Sequence, residues 1–87
     1  MTQPPPTHTA GDVWAELIDA ETSPTLRALY VERRALGIAR YGVPLQRGNG
    51  RDAVQDLREE LLDGMAYATQ AGKRGHAVLL RMLLLDL

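Results

Sequence analysis

Apolar residues along the chain recur at spacings of three and four, and residues that stop helices break up each run. Val13, Trp14, Leu17 and Ile18 share one helical face, and Asp12 supplies an N-cap ahead of them. That helix is expected to end near Thr22. Ser23-Pro24 reads as a cap followed by proline at the first helical position, opening a second helix over 24–40 that Tyr41-Gly42-Val43-Pro44 ends. A loop over 42–51 follows. Asp52 is expected to cap a third helix running to about Ala71. Gly72-Lys73-Arg74-Gly75 then turns the chain into a short terminal helix over 76–87. No segment alternates with the period of a half-buried strand. The expected fold is all-α, with three to four short helices in a single domain over 12–87. Residues 1–11, with Pro4–Pro6 in polyproline form, are expected to make a mobile arm ahead of it.

The faces of these helices carry the chemistry. On the third helix Val54, Leu57, Leu61, Met65 and Ala68 form a core stripe, while Asp52, Asp56, Glu59 and Asp63 lie opposite and Glu60 on the shoulder. Like charges at these spacings cost an isolated helix a few tenths of a kcal/mol each. Asp52 and Asp56 recover part of that cost near the positive end of the helix dipole; Glu59 and Asp63 do not. The ladder calls for a divalent cation, an arginine from a neighbouring helix, or solvent. On the second helix Ala28, Val31, Ala35 and Ile38 make a face of small residues, and Leu26, Leu29 and Leu36 a second apolar face. Between them run Arg27, Tyr30, Arg34 and Tyr41, which suit either stacking a base and holding a phosphate or lying over one another on a wet surface. The terminal helix is apolar on nearly every side. A chain this short cannot cover all of these faces, so the bundle is expected to be completed by homo-oligomerisation.

Composition narrows the function classes. Eighty-seven residues allow one small core. The absence of cysteine excludes disulfides, a thiol nucleophile and cysteine-ligated zinc, and with only His8 and His76 any metal must be held by carboxylates. A net charge of −1 argues against nucleic-acid binding through overall basicity. That total hides a segregation: Arg27, Arg33, Arg34, Arg40, Arg47 and Arg51 face Glu32 alone over 26–51, whereas 12–21 hold Asp12, Glu16, Asp19 and Glu21 and no base. The apolar run over 77–87 contains Arg81 and Asp86 and is far shorter than the ~20 residues a membrane span needs. With no secretory leader pattern at the start, neither membrane nor nucleic-acid partners are expected, and the expected location is cytoplasmic.

The most distinctive stretch is the loop over 41–52. Its glycines, with Arg47 and Arg51, lead directly into a helix N-terminus, which suits an anion; it equally suits a flexible connector in which Asn49-Gly50 turns before the Asp52 cap. There is no Gly-Lys-Ser/Thr and no preceding strand, so it is not a P-loop. Asn49-Gly50-Arg51-Asp52, followed by Asp56-Leu57-Arg58-Glu59-Glu60-Leu61-Leu62-Asp63 and Tyr67, resembles small phage-type proteins distantly similar to the MazG-like all-α nucleotide pyrophosphohydrolases. The resemblance covers about residues 40–70. It implies magnesium held by paired carboxylate motifs, hydrolysis of a nucleoside triphosphate to monophosphate and pyrophosphate, and a dimer or tetramer around a four-helix bundle. Glu60-Leu61-Leu62-Asp63 matches the second motif of that superfamily; the only upstream candidate for the first is Glu16-Leu17-Ile18-Asp19. On this reading Asp56, Glu59, Glu60 and Asp63 hold the metal, Arg47 and Arg51 clamp phosphate, and the location would be the host cytoplasm of a phage. The alternatives are a non-catalytic oligomer that sequesters a nucleotide through Tyr30, Arg34, Tyr41, Arg47 and Arg51, and a protein–protein interaction module resting on the terminal helix.

Overall fold

The computed structural model describes Gln3 and residues 11–87. The arm expected over 1–11 lies outside the described residues apart from Gln3 and Gly11. The described residues are all-α, with four helices and no strand: α1 (Val13–Ala20), α2 (Pro24–Tyr41), α3 (Ala53–Gln70) and α4 (Arg74–Asp86). The chain divides into two compact units with the boundary between Arg51 and Asp52, so α1 and α2 belong to one and α3 and α4 to the other.

The first unit follows from its caps. Asp12 accepts a hydrogen bond from Ala15 N–H at 3.0 Å and Ser23 Oγ from Leu26 N–H at 3.2 Å, each satisfying a donor that the helix start leaves open. Pro24 takes the first position of α2, where no N–H is needed. Gly42, in the left-handed region at φ 81°, ends α2 with its N–H on the Ile38 carbonyl. Past that glycine the chain folds back on the start of α1. Val13 N–H donates to the Leu45 carbonyl and Arg47 N–H to the Gly11 carbonyl, both at 2.9 Å, with Asp12 opposite Gln46 in one antiparallel bridge. The segment expected as a loop is therefore fastened by backbone pairing.

The second unit is a helical hairpin. Asp52 caps α3 by accepting from Gln55 N–H at 3.1 Å. At the other end Gly72 takes φ 70°, with Gly72 N–H on Thr69 and Lys73 N–H on Ala68. That is a Schellman closure, and it brings α4 in at Arg74, two residues before the expected start at His76. The turn is shorter than Gly72–Gly75 because one left-handed residue reverses the chain. The two helices meet along the partly buried residues Leu61, Gly64, Met65 and Ala68 of α3 and Ala77, Leu80 and Leu84 of α4. Gly64 makes the close approach: a Cβ there would lie 3.3 Å from Leu80 Cδ1.

No apolar side chain among the described residues is fully buried. Leu29 and Leu36 on α2, Val54, Leu57 and Leu62 on α3, and most of the leucines of α4 remain about half exposed. Full burial of such a side chain is worth about 1.5–3 kcal/mol, so each forgoes roughly 1 kcal/mol. The second apolar face of α2 and the outer faces of α4, both read from the sequence, are present and uncovered.

Candidate functional site

Charged and aromatic chemistry in the first unit gathers around the start of α1. Asp12 uses one carboxylate oxygen to cap the helix and offers the other to Arg34 of α2, which donates from Nε at 3.0 Å and Nη2 at 2.8 Å. The Arg34 hydrogen bond, and after it the Ala15 N–H, hold the Asp12 carboxyl below its ordinary value of 3.8. Arg47, carried by the fastened loop, donates to Glu16 from Nε at 3.2 Å and also from Nη2, and that bond raises the arginine further. Tyr30 packs against Trp14 with ring centroids 5.8 Å apart. Loss of hydration and then the Glu21 carboxylate push the Tyr30 hydroxyl above its ordinary value. Glu21 is itself held low, chiefly by Ser23 N–H, which donates to it at 3.0 Å.

This places the arginine and tyrosine candidates individually. Arg34 and Arg47 are ion-paired to α1 and its cap, Tyr30 stacks on Trp14, and Tyr41 lies under the Arg40 guanidinium at 5.2 Å. The Arg27 guanidinium donates to the Glu21 carbonyl. Asp12 and Glu16, the partners of the two arginines, were legible only as a cap and as half of an acidic motif, since pairs 22 and 31 residues apart leave no local pattern.

The loop contains the turn expected at Asn49-Gly50. Asn49 is buried, at 6% exposure, and its Oδ1 accepts from Arg51 N–H at 3.1 Å, an Asx-type turn. At the head of α3 the N-cap position is taken by the chain's own Asp52 carboxylate.

On α3 the Glu59, Glu60 and Asp63 carboxylates lie exposed, and Asp56 is partly buried. Gln55 donates to Glu59 at 3.3 Å. Glu60 and Asp63, one turn apart, make no hydrogen bond or ion pair with a described residue. Among the described residues no group of three or more acidic or histidine side chains could hold a metal ion. The ladder is thus a row along one helix and not a convergent cage, because steps of three and four carry successive carboxylates along the axis.

One further concavity belongs to the first unit: a groove of about 540 Å³ between α1 and α2, lined by Ala15, Ile18 and Asp19 from α1 and by Val31, Ala35 and Ala39 from α2, with the Asp12-paired Arg34 also on its wall. No helix is long and apolar enough, among the described residues, to cross a membrane.

The chain matches no protein-family model, no curated protein and no solved structure.

Proposed function

We propose that this chain handles nucleotide phosphates as a subunit of a homo-oligomeric helical assembly, acting on a nucleoside triphosphate in the manner of the MazG-like pyrophosphohydrolases it resembles. The observation that carries the reading is the pair Glu60 and Asp63 on α3, two exposed carboxylates one turn apart with no partner among the described residues. The donor set fits magnesium in one form only. A protein-only cage is absent from the described residues, but magnesium is commonly held by one or two carboxylates together with phosphate oxygens and water. Glu60 and Asp63, with Asp56 and Glu59 along the same face, suit an ion that arrives on a nucleotide. Bound there, the ion would neutralise phosphate charge.

Arg47, expected as a phosphate clamp, is ion-paired at the surface of the single chain. Its guanidinium is engaged by Glu16, so it fastens the loop to α1, and freeing it for phosphate would break that pair. Uncovered apolar faces on α2 and α4 support the oligomeric part of the reading, since they give subunits surface to share.

A panel of nucleoside triphosphates with magnesium, followed by pyrophosphate detection, tests the proposal. Release lost in Glu60→Gln supports it; no release for any nucleotide overturns the enzyme. That no three-ligand cluster forms among the described residues favours one second reading, a non-catalytic binder, for which calorimetry would show nucleotide binding without turnover.

A further inference from the structure

We infer that the groove between α1 and α2 receives α4 from a second copy of the chain, each copy of a two-fold pair offering its groove and inserting its terminal helix. The inference rests on the self-association proposed above and adds its interface.

Two rows of side chains match. On α2, Val31, Ala35 and Ala39 line the groove at four-residue steps, a span of about 12 Å along the axis. On α4, Leu79 and Leu83, with Leu87 just beyond the helix, repeat the same step over the same ~12 Å and are 60%, 56% and 43% exposed. Four-step ridges of two helices interdigitate in the commonest packing class of globular proteins. The match also holds in size, for large leucines on one row meet alanines on most of the other, as close approach requires.

Charge sets the direction. Asp19 lines the groove and makes no hydrogen bond or ion pair with a described residue. Because Tyr30 meets Trp14 and Arg34 meets Asp12, α1 runs against α2, which puts Asp19 toward the Val31 end of the row. Arg40 follows Ala39 at the other end. The inserted helix has Lys73 and Arg74 at its start and Asp86 at its close. Laid parallel to α2, it brings its basic start to Asp19 and its acidic end to Arg40. The reverse direction sets Asp86 beside Asp19 and Arg74 beside Arg40, two like-charge contacts. A reciprocal exchange uses the same two surfaces on both copies and closes as a dimer, whereas a one-way contact would continue into a filament.

The chain has no cysteine, so single thiols can be introduced cleanly. Ala35→Cys and Leu83→Cys chains are mixed one to one under mild oxidation, and mass is followed by light scattering. Both positions are exposed in the single chain, so neither change threatens its fold. A dimer in solution and a mixed disulfide at twice the chain mass, absent from either variant alone, is the expected result, since a bridge needs Cα atoms within about 7 Å. A dimer with no mixed disulfide overturns the interface and leaves self-association standing. Rapid cross-linking of Leu83→Cys alone overturns it in favour of α4 against α4. A chain carrying both thiols that closes on itself as a monomer overturns it in favour of its own helix. Monomer mass throughout overturns self-association as well.

Discussion

Replacing Asp12 with alanine removes two interactions at one carboxylate, and the structure allows them to be separated. The first is the cap on Ala15 N–H, worth about 1 kcal/mol when Asp is truncated to Ala. The second is the pair with Arg34. Both arginine donors converge on one oxygen, and the side chains keep 24% and 38% of their exposure, so solvent screens the pair to about 0.5–1 kcal/mol. Asp12→Ala should therefore cost about 1.5–2 kcal/mol, a fall in Tm of roughly 6–16 °C for a domain of this size. Asp12→Asn keeps a good cap and loses the charge, so it should cost only the pair. Arg34→Met keeps the aliphatic stem and should cost the same amount. The double variant Asp12→Asn/Arg34→Met should be less destabilised than the sum of the two by about 0.5–1 kcal/mol, their coupling. Urea denaturation followed by circular dichroism measures all four proteins. If Asp12→Ala were no worse than Asp12→Asn, the cap would contribute nothing; additive single variants would remove the ion pair from the explanation.

Other outcomes follow from particular positions. Gly37 lies inside α2, and a Cβ added there would meet no atom within 4 Å, so Gly37→Ala should stabilise by about 0.5–1 kcal/mol in the same denaturation series. Gly64→Val should destabilise by about 1–3 kcal/mol, because even the first carbon would meet Leu80 Cδ1 at 3.3 Å. Asp12 and Glu21 both titrate below their ordinary values of 3.8 and 4.5 in the folded chain. Their stabilising contribution is thus present above those ordinary values and is lost as pH falls through the lower folded ones; melting at stepped pH should show a drop below about pH 4 that Asp12→Asn flattens.

The helices were legible because their boundaries are local. Asp12, Ser23-Pro24, Asp52 and Gly72 each act on residues within about one turn, and each marks a boundary that the structure contains. The start of α4 was displaced because Lys73-Arg74 gives no local sign of which residue resumes the helix once Gly72 has reversed the chain. The loop was harder. Its glycines and arginines give no local sign of the backbone pairing with Gly11–Val13, more than thirty residues earlier in the chain. The partners of the arginine and tyrosine stripe on α2 were hidden for a related reason. Helical spacing places Arg27, Tyr30 and Arg34 near one another, but Glu21, Trp14 and Asp12 each draw one of them toward α1 or the chain that flanks it. On α3 the exposure of Glu59, Glu60 and Asp63 follows from their three- and four-residue steps, whereas the partial burial of Asp56 on the same row has no local signal.

Pyrophosphate release from a nucleoside triphosphate, measured with magnesium for the unaltered chain and for Glu60→Gln/Asp63→Asn, tests the nucleotide reading most directly. Both substitutions are on exposed positions of α3, so the altered chain should keep its helical circular dichroism and its melting temperature in the absence of metal. Release by the unaltered chain and its loss in the doubly altered one is the predicted result; equal release by both, or none by either across the nucleotide panel, would contradict it.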